Sequence, residues 1–314
     1  MNKKVVVLGG GTGLSCLLSG LKKFPLDITA VVSVCDDGSS TGKLRKEFKT
    51  PAVGDLRKVI ISLSEVEPLV EKLLSYRFDK ESSLEGHAMG NLLLTGLFDI
   101  SDNMSKGIES LGTILNLKGT VLPLSDDFVE LSAIMEDNSI IKGEHKITSS
   151  PLKINNVFYK KEPKINKLVI EKILNADAIV FSMGSLYTSL LPNLISKSIK
   201  KAINESNAKL IYCCNMMTQP GETQDFKVSD HVKVINQEIK PRYLDTIIIN
   251  DGKINKKIVS KYETLEQKKL VIYDKQETKK LVKNIISDNL VIIKDKTIRH
   301  NTMKLAVHIF TNII

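Results

Sequence analysis

The chain has 314 residues, of which 42% are hydrophobic and 26% are charged, and its formal net charge is +9 at pH 7. This mixture excludes a disordered, collagenous or low-complexity polymer and predicts one large globular domain or two small ones. The chain contains no Trp and only 5% aromatic residues, so platforms for stacking single-stranded nucleic acid are scarce.

The excess positive charge lies at the C-terminal end of the sequence. Residues 251–314 hold 14 Lys and Arg against 7 Asp and Glu, a net charge of +7. Such a run is most often a solvated surface, although it also suits an anionic ligand. No zinc-finger spacing and no continuous basic helix accompany it, so we expect no nucleic-acid partner.

The cysteines and the N-terminal segment predict a cytoplasmic protein. The four cysteines form no CxxC pair and stand in apolar stretches, as Cys16, Cys35, Cys213 and Cys214; this is typical of small buried side chains. The first apolar run ends at Leu8, which is too short for a signal peptide, and no later run approaches the length of a membrane span. We therefore expect no insertion into a membrane.

The first 35 residues predict a strand, a glycine loop, a helix and a second strand. An apolar strand over 5–8 is followed by a loop over 9–13, a helix over 14–23 with leucines on one face, and a β-branched strand over 28–35. Two buried strands joined by a helix are typical of a βαβ unit in a parallel sheet.

The remaining sequence continues this rhythm with one interruption. Helices are predicted over 54–63, 68–76, 90–97, 106–117, 168–176, 185–206 (after a short loop), 230–237, 278–286 and 302–311. Strands are predicted over 178–181, 210–214, 244–250 and 290–293. Between the two halves, residues 120–159 alternate and turn at 136–138, which predicts an antiparallel hairpin. We predict a single α/β domain over 1–314, Rossmann-like and doubly wound around a mostly parallel sheet, with an inserted β-hairpin elaboration over 118–163.

Four polar loops follow predicted strands, at 9–13, 36–45, 182–189 and 215–224. They are rich in Gly, Ser, Thr, Asn, Asp or Gln rather than in the Lys and Glu of an ordinary surface. Ligands of open parallel sheets bind outside the carboxyl ends of the strands. The sequence therefore predicts that these loops converge on a ligand site.

The first loop suits a phosphate group. Its candidates are Gly10, Gly11, Thr12 and Gly13, because glycines allow close approach of backbone N–H groups and the following helix points its positive end there. A structural turn without a ligand is the alternative. The GxGxxG register fails at Leu14, which disfavours an NAD-dependent oxidoreductase.

The second loop offers both carboxylates and anion-binding groups. Asp36 and Asp37 are candidates for a Mg²⁺ site, and Asp37 also for ligand binding, as are Gly38, Ser39 and Lys43. The loop is not a P-loop, since Leu44 stands where a Ser or Thr should bind magnesium. A solvated acidic strand end is the alternative interpretation.

The later loops supply further candidates. Gly184 and Ser185 repeat the strand–loop–helix arrangement of an anion site, and Asn215 and Gln219 offer amides that suit a base or a sugar. Asp55, near a predicted helix start, is compatible equally with capping and with function.

Seven motifs occur in one order over almost the whole chain. They are GGGTGLS at 9–15, DDGSSTGKLR at 36–45, PAVGDLR at 51–57, GHAMGN at 86–91, GSLYTS at 184–189, NMMTQPGET at 215–223 and RHNT at 299–302. In this, the chain resembles the gluconeogenesis factor family of bacteria, which is related to the 2-phospho-L-lactate transferases.

The resemblance implies a Rossmann-like fold and a cytoplasmic protein required for cell shape on gluconeogenic carbon sources. It also implies binding of UDP-sugars, notably UDP-N-acetylglucosamine, by the residues that match here as Arg299 and Tyr262. Thr302 matches a threonine that a Ser/Thr kinase phosphorylates in some members of that family.

Three functions follow as hypotheses. The first is a nucleotide-sugar-binding regulator, and the second is a phospholactyl-type transferase with a nucleotide-diphosphate donor and Mg²⁺ on Asp36 or Asp37. The third, an NAD-dependent oxidoreductase, is the weakest. Whether the protein turns over a substrate and whether it forms a homo-oligomer are left open by the sequence.

Overall fold

The computed structural model describes residues 2–79, 81–101, 103–294 and 297–314, without the side chain of Ser39. In this described part, the central sheet has seven strands, all paired in parallel. They are β1 (Lys3–Gly9), β2 (Leu26–Val32), β3 (Thr120–Pro123), β7 (Ala178–Phe181), β8 (Lys209–Cys213), β9 (Thr246–Asn250) and β10 (Asn284–Asp288). The predicted parallel sheet is confirmed.

The strand order places a topological switch point beside β1. The sheet runs β3-β2-β1-β7-β8-β9-β10, so the chain leaves β1 toward one edge and later returns to β7 on its other side. In such a sheet the crevice outside the carboxyl ends of the two strands is open to a ligand. Residues 5–8 of β1 are fully buried, as expected for a strand covered on both faces.

Helices flank the sheet. They are α1 (Thr12–Leu21), α2 (Ser39–Phe48), α3 (Val53–Leu63), α4 (Pro68–Ser75), α5 (Met89–Ile100), α6 (Met104–Ile114), α7 (Glu144–Ser149), α8 (Lys167–Leu174), α9 (Lys197–Glu205), α10 (Val228–Glu238), α11 (Lys256–Glu266), α12 (Lys275–Lys279) and α13 (Thr302–Ile313). α1 packs on α3 and α13, whereas α8 packs on α9. No helix of the described residues is both long and apolar enough to span a bilayer.

A second, antiparallel sheet interrupts the α/β pattern, as predicted. It consists of β4 (Leu131–Met135), β5 (Ile140–Lys142) and β6 (Ile154–Tyr159) in the order β5-β4-β6, with α7 between β5 and β6. The predicted turn contains Asn138 at φ 63°. The prediction that this elaboration begins at 118 is wrong, because β3 pairs with β2 in the central sheet.

Two predicted elements in the N-terminal and central parts differ from the structure. Residues 39–48, predicted as loop, form α2, since Ser40, Thr41 and Leu44 turn a buried face inward that the polar composition conceals. The predicted helix over 185–206 is a π-helical turn at Leu186–Leu190, a 3₁₀ turn at Leu191–Asn193 and then α9.

Two further elements differ near the C-terminus. The predicted helix over 278–286 is in fact the short α12 followed by β10. The periodicity of so short an apolar run does not distinguish a helix from a strand. α11 was not predicted, and it has no buried residue to produce a pattern. β11 (Val291–Lys294) and β12 (Thr297–His300) form a separate antiparallel hairpin.

Candidate functional site

A cleft of about 240 Å³ opens at the switch point, at the carboxyl ends of β1 and β7. Its lining residues are Gly10, Gly11, Thr12, Gly13, Ser33, Asp36, Asp55, Lys58, Glu144, Gly184, Ser185, Thr188 and Ser189. Three of the four predicted loops therefore meet in one place. The fourth is joined to them because Nδ2 of Asn215 donates to the carbonyl oxygen of Gly184 at 2.7 Å.

The glycines of the first loop are required by contacts within the protein. A Cβ on Gly13 would lie 1.8 Å from the carbonyl oxygen of Met183, and one on Gly11 would lie 2.0 Å from Oδ1 of Asp55. The loops after β1 and β7 therefore interlock across the switch point. The glycine run by itself does not indicate a phosphate site.

Two helices, α1 and α3, begin at this cleft. They start after Gly11 and Ala52 without a side-chain cap, whereas α2 begins outside the described lining and the Gly38 N–H at its start donates to Asp36 at 3.0 Å. The first N–H groups of a helix lack intrahelical partners, so each helix brings a positive end to the cleft. This arrangement favours an anion.

The negative charges of the carboxylates in the cleft oppose the positive potential of the helix ends. Burial, and after it repulsion by Asp55, raises the pKa of Asp36. Hydrogen bonds from the Gly38 N–H and the side chain of Thr41 lower this pKa in part. Burial and then repulsion by Asp36 raise the pKa of Glu144 to about 7. Among the described lining residues, Lys58 is the one cation, 3.1 Å from Oδ1 of Asp55. The cleft is therefore acidic at its walls and positive at its helix ends.

A buried glutamate that the sequence reasoning missed lies behind the cleft. Glu222 is 3% exposed; it accepts from Oγ1 of Thr188 at 2.9 Å and from Nε2 of Gln219 at 3.2 Å. Burial raises its pKa to about 7. Ser185 in turn donates to Oε1 of Gln219 at 2.9 Å. Gln219 therefore ties the loops together, and its side chain is engaged within the protein.

Asp36 and Asp37, the two aspartates predicted to bind Mg²⁺, do not face the same point. Oδ1 of Asp37 accepts from the backbone N–H of His145 at 2.8 Å, at the start of α7, whereas Asp36 lines the cleft with Asp55. No group of three His, Cys, Asp or Glu in the described chain gathers to hold a metal. Two carboxylates fit Mg²⁺, which keeps several waters and takes phosphate oxygens as further ligands.

A second, smaller cleft of about 150 Å³ lies beside the first, near the ends of β8 and β9. Asn215 lines it together with Asn250 and Gly252. The amide of Asn215, predicted to meet a base or a sugar, has protein partners at both ends, because Tyr212 donates to its Oδ1 at 3.1 Å. Asn215 therefore positions the Gly184 loop.

The residues implied by the family resemblance lie on neighbouring elements, Tyr262 on α11 and Arg299 on β12. The Tyr262 hydroxyl accepts from the backbone N–H of Ile298 at 3.0 Å, next to the exposed Arg299. Burial raises the pKa of Cys16 on α1, and the nearby Arg299 guanidinium lowers it in part. Arg299 therefore lies toward α1, which begins at the glycine loop. Thr302 is the first residue of α13.

Neither Tyr262 nor Arg299 is in the described lining of either cleft, and two further candidates also lie away from the cleft or outside the description. Lys43 is exposed on α2 and is absent from the described lining of both clefts. The side chain of Ser39 lies outside what the structure describes. A wider groove of about 940 Å³ along β3 and α6 contains none of the predicted site residues, so its size does not make it the candidate site.

The raised pKa of Glu222 predicts a loss of stability with increasing pH. Its ordinary value is 4.5 and its folded value is about 7, so between these pH values the native state retains a proton that the unfolded chain releases. In Mg²⁺-free buffer, the free energy of unfolding should fall over this range by up to about 3 kcal/mol on account of this group. The Glu222→Gln variant should lack this contribution and keep the one that Glu144, whose pKa is also about 7, makes over the same range, as measured by urea unfolding from pH 4.5 to 8.

The exposed Glu266 provides the control for this measurement. Glu266→Gln should follow the wild-type pH curve, because this side chain is exposed on α11. Parallel curves for wild type and Glu222→Gln would contradict the prediction.

These features place the chain among Rossmann-like α/β proteins whose polar cleft lies at the switch point. The model of the family described as "2-phospho-L-lactate transferase CofD" matches residues 5–291, and the chain belongs to this family. It is 44% identical over 305 residues to "Gluconeogenesis factor" of Halalkalibacterium halodurans, covering 97% of this chain and 94% of the relative. It is equally similar to "Gluconeogenesis factor" of Bacillus subtilis, with 96% of each chain covered.

A solved structure supports the same assignment. The crystal structure of a protein of the UPF0052 family from Bacillus halodurans has a TM-score of 0.94 and 43% identity, covering 98% of this chain and 99% of that one. The predicted membership of the gluconeogenesis factor family is therefore confirmed, as is the Rossmann-like fold.

Proposed function

We propose that the chain is a cytoplasmic regulator that binds a nucleotide sugar of the UDP-N-acetylglucosamine type together with Mg²⁺, and that it supports cell shape during gluconeogenic growth. One observation carries the proposal. The starts of α1 and α3, neither of them with a side-chain cap, meet Asp36 and Asp55 in one cleft at the switch point.

Electrostatics explains why the ligand and the cation belong together. The helix ends attract a diphosphate, each with roughly half an elementary charge. Asp36 and Asp55 repel it, and Lys58 is already paired with Asp55. Asp36 and Asp55 would hold a Mg²⁺ ion, and its charge would offset this repulsion, since Mg²⁺ takes carboxylate and phosphate oxygens as ligands.

The neighbouring surfaces have room for the rest of the nucleotide. The cleft beside Asn215 and Asn250 takes the base and ribose, and Arg299 donates to a phosphate oxygen in a charge-assisted pair. Phosphorylation of Thr302 by a Ser/Thr kinase would place a dianion three residues from Arg299, and it would compete for the same guanidinium.

Calorimetric titration with UDP-N-acetylglucosamine tests the proposal. We expect saturable binding that needs Mg²⁺ and that is stronger than binding of GDP or NAD. Arg299→Ala should weaken it at least tenfold, because a hydrogen bond to a charged group is worth about 1.5–3 kcal/mol. Lys294→Ala on the adjoining strand is the matched control, since Lys294 is also exposed. A flat titration of the wild-type protein with Mg²⁺ would overturn the proposal.

A second candidate is a phospholactyl-type transferase, and Glu144 is the observation that favours it. A carboxyl with a pKa of about 7 in the cleft suits a general base that accepts the proton of an attacking hydroxyl. Asp36 and Asp55 would hold Mg²⁺ on the diphosphate of the donor. Incubation with a lactyl-diphospho-guanosine donor, a deazaflavin acceptor and Mg²⁺ should then give coupled product, and Glu144→Gln should abolish it. Absence of product with the wild type would remove this candidate and leave the regulator.

A further inference from the structure

The loop after β7 leads into a π-helical turn that lines the cleft. This turn spans Leu186–Leu190, and π-helical turns are rare and frequent at functional sites. Two hydroxyl side chains of this segment, Ser185 and Thr188, line the cleft, and we name this pair the hydroxyl wall. A hydroxyl has one hydrogen to donate and two lone pairs to accept with. The ligand chemistry that suits the hydroxyl wall therefore depends on where its two hydrogens point.

The buried Glu222 determines the direction of the Thr188 hydrogen. At pH 8, above its pKa of about 7, Glu222 is an ionised carboxylate, which can only accept hydrogen bonds. Its Oε1 lies 2.9 Å from Oγ1 of Thr188, and its Oε2 accepts from the backbone N–H of Tyr187 at 3.2 Å. Thr188 therefore donates its one hydroxyl hydrogen inward and retains only lone pairs for the cleft.

The same carboxylate determines the direction of the Ser185 hydrogen through Gln219. Nε2 of Gln219 lies 3.2 Å from Oε1 of Glu222. This contact fixes the amide orientation, because only the NH₂ end of the amide can donate to a carboxylate. The carbonyl end, Oε1, then lies 2.9 Å from Oγ of Ser185 and can only accept. Ser185 donates to it, so Ser185 also presents lone pairs to the cleft.

The hydroxyl wall therefore differs from a phosphate site. Phosphate oxygens bind hydrogen-bond donors and cations, whereas Ser185 and Thr188 have no hydrogen left to donate. The starts of α1 and α3 at the same cleft bring backbone N–H groups, which suit phosphate. The strand–loop–helix pattern at Gly184 and Ser185 predicts an anion site; the hydrogen bonds of this segment favour a donor instead.

We propose that the hydroxyl wall binds a hydroxyl or amide N–H group of the sugar part of the ligand, while the diphosphate lies at the helix starts. The inference rests on the proposed function and adds the direction of the ligand within the cleft. A sugar hydroxyl donates to Ser185, where a phosphate oxygen would meet only lone pairs. Ser185 therefore favours a nucleotide sugar over the bare nucleotide diphosphate, and Gln219 and Glu222 are its positioning residues.

Calorimetric titration at pH 8 with Mg²⁺ tests this inference, with UDP-N-acetylglucosamine and UDP as the two probes. Ser185→Ala should weaken binding of the nucleotide sugar about fivefold, as for the loss of one ordinary hydrogen bond, and should leave binding of UDP unchanged. The matched control is Ser62→Ala. Ser62 also donates to a protein acceptor, the carbonyl oxygen of Val59 at 2.7 Å, but it lines neither cleft, so this variant should change neither affinity. Equal weakening of both ligands by Ser185→Ala, or weakening of neither, would overturn the inference.

A measurement without ligand separates this inference from the proposed function. Thr188→Val removes the hydroxyl and keeps the shape of the side chain. Because a hydrogen bond to the ionised carboxylate lowers its pKa, losing this one should raise the pKa of Glu222 above about 7. Carbon-13 NMR of the Glu222 carboxyl, assigned with Glu222→Gln, follows this change; the neighbouring titratable groups Glu144 and Tyr187 are the same in both proteins.

The result for Glu222 counts even when no ligand binds. A pKa that falls or stays constant in Thr188→Val would show that Thr188 does not donate inward, and it would overturn the inference. If neither probe binds to the wild type, the proposed function fails. A raised pKa would in that case still support the acceptor character of the hydroxyl wall.

Discussion

Replacing Gly13 with alanine should lower the free energy of unfolding by about 3 kcal/mol or more. The added Cβ would lie 1.8 Å from the carbonyl oxygen of Met183 and 2.5 Å from its carbonyl carbon. Both are backbone atoms, which cannot rotate away as a side chain can, so α1 or the loop after β7 must shift. Urea unfolding measures the effect. The same shift would separate the two walls of the cleft, so binding of the proposed UDP-sugar ligand should weaken in parallel.

Gly96→Ala is the matched control for this substitution. A Cβ at Gly96 meets nothing within 4 Å, and alanine is favoured over glycine in a helix by up to about 1 kcal/mol. This variant should be at least as stable as the wild type. A Gly13→Ala variant that retains wild-type stability would show that the two loops do not interlock as described.

Replacing Asp36 with asparagine should remove most of the Mg²⁺ dependence of the proposed ligand binding. In the presence of Mg²⁺, the affinity for the proposed ligand UDP-N-acetylglucosamine should fall at least tenfold, because one of the two carboxylates that would hold the proposed ion has gone. In EDTA, the variant should bind the ligand as well as the wild type or better, since one charge that repels the diphosphate has gone. Titration calorimetry measures the dissociation constant with Mg²⁺ and in EDTA for both proteins.

The neighbouring residue is the control for this experiment. Asp37 accepts a hydrogen bond from the N–H of His145 and does not line the cleft. Asp37→Asn should therefore retain the Mg²⁺ dependence of the wild type. If Asp37→Asn loses that dependence and Asp36→Asn keeps it, the cation lies elsewhere than we propose.

The sequence predicts the parts of the site that depend on local pattern. A glycine loop between an apolar strand and an amphipathic helix predicts a βαβ unit, and the rule for parallel sheets then places the loops at one edge. Gly10 to Gly13, Asp36, Gly184 and Ser185 do line one cleft. The role of each residue within the cleft is a different question, since the glycines are explained by packing against Met183 and Asp55.

The parts of the site that depend on tertiary contacts could not be predicted in this way. Glu144 lines the cleft because the start of α7 contacts the loop after β2, where the N–H of His145 donates to Asp37. No local sequence pattern predicts this contact between distant segments. Glu222 stands in a polar loop motif, but only its burial raises its pKa and distinguishes it from a surface glutamate. Asp55 is compatible with capping in sequence terms; in the structure, Ala52 holds the capping position and Asp55 faces the glycine loop.

The inserted sheet packs into the same hydrophobic core as the central sheet, and three hydrogen bonds also hold it to the loops around the cleft. The N–H of His145 donates to Oδ1 of Asp37 at 2.8 Å. The Tyr159 hydroxyl donates to the carbonyl oxygen of Pro192 at 2.6 Å. The N–H of Ile154 donates to the carbonyl oxygen of Gly221 at 3.2 Å. In the described chain, none of its strands pairs with a strand of the central sheet. Exchange of residues 131–159 with those of a relative would therefore have to preserve these hydrogen bonds together with the buried side chains of Leu131, Ala133 and Val157, which belong to the core that both sheets share.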